Sequence, residues 1–94
     1  MRKIDLVPRV TPDIAQALWY EIEAELDSTG RSAVVVCDAS AVRHFSSAAL
    51  QMLMVAQAHA RRNHGQLVIA NPSDDAFASL SSMGALSLLD EVIA

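Results

Sequence analysis

The sequence predicts an α/β fold: a small domain with a mostly parallel sheet of about four strands and helices packed against it. Two apolar runs carry most of that expectation, Ala33-Val34-Val35-Val36-Cys37 and Gln66-Leu67-Val68-Ile69-Ala70. Neither alternates, and both are rich in β-branched residues, the mark of strands covered on both faces. Between and around them lie segments of helical periodicity closed by Gly30, Gly65 and Gly84. Strand–helix alternation gives parallel strands joined by right-handed crossovers.

The first element is a short half-exposed strand at Lys3-Ile4-Asp5-Leu6-Val7, stopped by Pro8, and one strand is read ahead of the first helix. Thr11-Pro12-Asp13 starts that helix, with Thr as cap, Pro at the first helical position and Asp in the first turn. Ile14, Leu18, Ile22 and Leu26 form its packing stripe, and Glu21, Glu23, Glu25 and Asp27 solvate the outside. Gly30 ends it. After the central strand, residues 46–63 read as a second helix, with Arg61, Arg62 and His64 near its C-terminal end, where positive charge is favoured. Asn71-Pro72-Ser73 turns into a third helix capped by Ser73, with Asp74 and Asp75 in the first turn. Phe77, Leu80 and Met83 make its inner face and Gly84 closes it. Leu88 to Ile93 reads as a helical turn followed by a short strand.

The global numbers exclude several classes. A chain of 94 residues makes a single domain over residues 1–94, able to bury roughly 60–65% of its unfolded surface. With 52% hydrophobic and 19% charged residues it is globular and not disordered. Only three Gly, three Pro and four aromatic residues argue against a turn-rich β-sandwich. A net charge of −4 speaks against nucleic-acid or anionic-membrane binding. The single cysteine, Cys37, lies in the most apolar run and reads as a buried small hydrophobe. No apolar stretch follows Met1-Arg2-Lys3, and none reaches the roughly 20 residues that span a bilayer. The expected location is the cytoplasm.

The chemistry concentrates at Asp38-Ala39-Ser40-Ala41-Val42-Arg43-His44-Phe45-Ser46-Ser47-Ala48-Ala49-Leu50, a strand end, a loop and two serines opening a helix. Ser46 is placed to cap that helix, its Oγ accepting from the N–H of Ala48 or Ala49. Ser47 then holds the first helical position and projects outward, at a helix end that welcomes a phosphate. A nucleophilic serine is disfavoured, since no Gly-x-Ser-x-Gly elbow surrounds either residue. His44, His59 and His64 lack metal-ligand spacing. No glycine-rich phosphate loop is present. Asp38 has no acidic companions near the first strand to form a magnesium site. The expectation is no enzyme, no cofactor and no metal, but a binding surface made of Ser46, His44, Asp38 and Gln51 around the exposed Ser47 hydroxyl.

The stretch Asp38 to Leu53 resembles the signature of STAS domains, the sulphate-transporter and anti-sigma-factor-antagonist family. There an apolar strand ends in Asp, and Asp-Ser-Ser/Ala-Gly/Ala-Leu opens a long helix. Gly65-Gln66-Leu67-Val68-Ile69, Asn71-Pro72-Ser73 and the Leu80 to Leu89 region around Gly84 follow in the same order, so the resemblance covers about residues 32 to 93. It implies a bacterial, stand-alone anti-sigma factor antagonist or related signalling regulator. Such a domain binds a serine kinase that doubles as an anti-sigma factor, and phosphorylation at the helix start ends the capture. Aligning Leu50 with the family leucine puts Ser47 on the phosphoacceptor and Ser46 on the preceding Asp. The family glycine is Ala49 here. Ala49-Leu50-Gln51 is similar to STAS proteins encoded beside chemotaxis genes, or to those serving a lipid-transport ATPase complex. The resemblance therefore carries an alternative: a constitutive subunit of a membrane lipid-transport ATPase, or a chemotaxis-cluster protein without a phosphoswitch. An exposed sheet edge also admits a homodimer.

Overall fold

The computed structural model describes residues 2–29 and 34–89. In chain order they form strands β1 (Arg2–Asp5) and β2 (Arg9–Val10), helix α1 (Pro12–Thr29), strands β3 (Val34–Asp38) and β4 (His44–Phe45), helix α2 (Ser47–Arg62), strand β5 (Gln66–Ala70), helix α3 (Asp74–Ser82) and a 3-10 turn (Leu86–Leu88). The main sheet has the order β1-β3-β5 with both pairs parallel. A second, two-stranded parallel sheet pairs β2 with β4. This is the mostly parallel α/β architecture expected, with helices packed against the sheet.

The register places Val35 beside Leu67 and Cys37 beside Ile69. These four are buried among the side chains of α1 and α2. Their neighbours Val34, Val36 and Val68 are only half-buried. The expectation that the apolar strands are covered on both faces is therefore corrected: burial alternates, and the described helices α1 and α2 cover one face. Valine on the other face suits the extended backbone whether or not anything lies over it.

Helix α1 begins as read, with Pro12 at its first position and the Ile14 N–H donating to Thr11 Oγ1 at 3.4 Å. Leu18 and Ile22 are buried and Ile14 is half-buried. The side chain of Leu26, the helix end at Gly30 and the strand start at Ala33 lie outside the described residues. A second strand, β2, precedes the helix, where one strand was expected. Two residues beyond Pro8 carry no periodicity from which a strand could be read.

Helix α2 is tied into the core by a polar residue. Gln57 is buried, and its Nε2 donates to Leu67 O at 3.1 Å and to Ser87 O at 2.8 Å. Both amide hydrogens are thus spent on backbone carbonyls of β5 and the 3-10 turn, as burial requires. At the end of α2 the left-handed residue is His64 (φ 63°), ahead of the glycine, and the Gly65 N–H closes on Ala60 O at 2.8 Å.

Helix α3 is capped by Ser73, whose Oγ accepts from the Ala76 N–H at 3.1 Å, with Asp74 and Asp75 in the first turn. Its inner face is corrected. Ala76 and Leu80 are buried, while Phe77 is 49% and Met83 38% exposed. A stripe of one small and one large residue, four apart, seats this nine-residue helix and turns the bulkier Phe77 outward. Gly84 closes it at φ 66°. The 3-10 turn leads to Leu89, which bridges to Ile69 in parallel; the strand read onward to Ile93 lies outside the described residues.

Val35 is 1% exposed beneath α1 and α2, so Val35→Asp buries a carboxylate with no partner and should abolish folding. A soluble Val35→Asp protein that melts cooperatively would contradict the core assignment. His64→Gly removes the cost of a left-handed non-glycine residue, only partly offset by chain entropy, and should raise stability by about 0.5–1 kcal/mol in urea titrations.

Candidate partner-binding site

The start of α2 is held by the small β2–β4 sheet. The N–H groups of Arg43 and His44 both donate to Pro8 O, at 2.8 and 3.0 Å, and the Ser46 N–H donates to Val10 O at 3.0 Å. Val10 and Phe45, paired in register, are buried beneath this clasp. The helix therefore begins from a backbone fixed on both sides.

Ser46 has extended dihedrals (φ −72°, ψ 150°), and its Oγ accepts from the Ala49 N–H at 3.0 Å. Its C=O accepts the first helical bond, from Leu50 N at 3.1 Å. Ser46 is thus the N-cap, and Ala49 is the one of the two expected donors that it uses. Ser47 follows at the first helical position, exposed, as are Ala48 and Gln51. The first turn of α2 contains no acidic residue, and its last turn carries His59, Arg61 and Arg62. The positive end of the helix dipole at Ser47 thus meets no carboxylate within its own first turn.

Asp38 belongs to a different set of contacts. Its Oδ1 accepts from the Ser40 hydroxyl at 2.6 Å and the Ser40 N–H at 2.9 Å, and its Oδ2 accepts from Asn71 Nδ2 at 2.9 Å. The Ser40 hydroxyl above all, then Asn71 and the Ser40 N–H, with the charge of Lys3 adding a little, hold this carboxyl at about 2 against a small opposing effect of burial. The same loop is pinned further on. Ala39 N–H donates to Ala70 O at 2.9 Å, Ser73 N–H to Ala39 O at 3.1 Å, and the Ser73 hydroxyl to Val42 O. Asp38 acts here as a brace for residues 39–43, joined to the turn after β5, while exposed His44 sits on β4 directly before Phe45 and Ser46.

Beside Ser47 runs a feature that the sequence reading missed. Between α1 and α2 lies an open groove of about 530 Å³, lined by Trp19 and Tyr20 and by Ala48, Gln51, Met52 and Val55. Tyr20 is 62% and Val55 58% exposed. The Trp19 indole lies against the His59 imidazole, with ring centroids 4.9 Å apart at 36°. Trp19 and Tyr20 stand next to Leu18 but off the Ile14–Leu18–Ile22 stripe. Two adjacent aromatics outside the packing stripe were the available signal. Gln51, four residues after Ser47, joins the two: one turn of α2 carries both the serine and the edge of the groove.

The remaining reactive groups are quiet. Burial, with the charge of Glu21 adding to it, pushes the Cys37 thiol up to about 12, so it stays protonated at neutral pH. Among the described residues, no three His, Cys, Asp or Glu side chains are grouped to hold a metal ion. No described helix is long and apolar enough to cross a membrane.

Comparison with protein families matches residues 2–90 to a model described as Mlab, STAS domain. The match reaches back to β1, further than the signature at Asp38–Leu53 alone. No curated protein and no solved structure matches the chain.

Ser46→Ala removes the cap bond to Ala49 and should destabilise the fold by about 1 kcal/mol in denaturant titrations. The Asp38 carboxyl titrates at about 2, below its ordinary 3.8. The folded state thus binds this proton less readily than the unfolded chain does. The contribution is complete above about pH 4 and is lost as pH falls through about 2. Asp38→Asn should flatten the fall of the urea midpoint between these pH values; an unchanged slope would show that the brace does not stabilise the fold.

Proposed function

Because the chain belongs to the STAS domain family, whose members typically mediate protein–protein interactions, we propose that it is a regulatory interaction domain that docks a protein partner at the start of α2 and is switched by phosphorylation of Ser47. The reading is that of an anti-sigma factor antagonist or related signalling regulator, with a serine kinase of anti-sigma type as partner. One observation carries it: Ser46 alone makes the cap bond to Ala49, so the exposed Ser47 hydroxyl is free of that structural duty. A phosphate on Ser47 adds about −1.5 to −2 charges at a helix start without an acid, tolerable to the free domain. Within a closed interface the same group is left unpaired or repelled. His44 and Gln51 flank Ser47 as partner contacts, and Asp38 shapes the loop that presents them.

A second reading is a constitutive subunit of a membrane lipid-transport ATPase. It is favoured by Ala49-Leu50-Gln51 and by the apolar groove reached through Gln51, which can dock a partner without any modification. A pull-down from the native host, quantified by mass spectrometry, compares wild type with Ser47→Ala and Ser47→Glu. The switch predicts that a kinase-like ATPase or anti-sigma factor is recovered with wild type and Ser47→Ala, and at least tenfold less with Ser47→Glu. Equal recovery of a transporter ATPase with all three replaces the switch by the constitutive reading.

A further inference from the structure

We propose that β1 is a self-pairing edge, through which two copies of this chain form an antiparallel, two-fold dimer with one continuous sheet. On one side β1 pairs with β3; on the other, no strand is paired to it among the described residues. The opposite end of the sheet is different, because Leu89 already bridges to β5.

The geometry of β1 restricts how it can be completed. The Leu6 N–H donates inward to Asp38 O at 2.9 Å. Backbone groups alternate along a strand, so those of Ile4 also point toward β3 and those of Lys3 and Asp5 point outward. Side chains alternate with the same period. Arg2 reaches Glu21 on α1 with Nε at 2.6 Å, and Ile4 packs on the core, so the even positions face the helices. Lys3 and Asp5 are exposed on the open face.

Within β1, two-fold pairing that sets the outward groups of Lys3 and Asp5 only against each other has three registers. Lys3 opposite Lys3 and Asp5 opposite Asp5 both set like charges against each other. The third sets Lys3 of each copy opposite Asp5 of the other, with Ile4 facing Ile4 on the axis. It makes four backbone hydrogen bonds, two opposite-charge cross-strand pairs and one apolar pair, each of the favourable kind. The two Ile4 side chains meet beside a cleft of about 190 Å³ between β1 and α1, lined in part by Ile14, Ala17 and Leu18. The interface is isologous and closed, so it stops at two copies. It removes the exposed edge that otherwise invites indiscriminate strand addition.

The test is sedimentation of the full chain at increasing concentration. Wild type should show a concentration-dependent dimer. Lys3→Asp alone and Asp5→Lys alone each create like-charge pairs, and each should raise the dissociation constant at least tenfold. An equimolar mixture of these two variants restores both opposite-charge pairs and should recover the wild-type dimer, as should the double swap within one chain. Both positions are exposed, so thermal melts should be little changed. As a check on register, Ile4→Cys in a Cys37→Ala background should form an intermolecular disulfide on mild oxidation, since residues facing each other in such a non-hydrogen-bonded pair have Cα atoms about 4.5 Å apart; Cys37 is removed because it lies beside Ile4 in the β1–β3 register. Wild type that stays monomeric to about 1 mM, or a dimer that tolerates both single reversals, overturns the proposal.

Discussion

The direction in which the sheet grows governs the rest of the molecule. From β1 to β3 to β5 each new parallel strand is added on the same side. Right-handed crossovers taken in one direction must pass over the same face. Helices α1 and α2 therefore lie together, their shared boundary becomes the groove of Trp19, Tyr20 and Val55, and the other face of the sheet has half-buried valines. The same progression leaves β1 at the edge and brings the chain out of β3 at the C-terminal end of the sheet, where α2 has to start. Binding surfaces gather at such strand ends because loop positions there are free to vary while the sheet holds them still.

Holding them still is the work of polar groups. Residues 39–46 have no long element of their own, yet nearly every step is tied: Asp38 to Ser40 and Asn71, Ala39 to Ala70 and Ser73, Arg43 and His44 to Pro8, Ser46 to Val10. Gln57 does the same from inside, fastening α2 to β5 and the 3-10 turn. Among the described residues every buried side-chain nitrogen or oxygen has a hydrogen-bond partner. A surface fixed in this way loses little further entropy when a partner docks.

The main elements were legible because their signals are local. Periodicity places the helices, β-branched runs place β3 and β5, and Ser46 and Ser73 read as caps from their spacing alone. What escaped depends on distant contacts. The strands β2 and β4 have two residues each, and their pairing exists only because residues 9–10 and 44–45 are brought together by the larger sheet. The outward turn of Phe77 follows from how closely Ala76 can approach the core, which hydrophobicity does not encode. Apolar runs in β3 and β5 were read as doubly covered, yet β-branched residues are also favoured by the extended backbone itself. At the candidate site the two serines were legible from capping rules, while the groove was not, because it is assembled from two helices far apart in the sequence, as Tyr20 and Gln51 show.

The two surfaces of interest are linked through residues 6–10: β1 carries the free edge, and the carbonyls of Pro8 and Val10 just after it hold the start of α2. Helix α2 packs on β5 and α1, whereas the free edge belongs to β1, beyond β3. A two-fold axis perpendicular to the sheet carries the helix-covered face of one copy onto the same side as that of the other. The strands of the two copies run oppositely, so the two α2 starts lie at opposite ends of the widened sheet and point in opposite directions along it. Each copy therefore presents its own site, and only a partner long enough to span the widened sheet gains effective concentration from both.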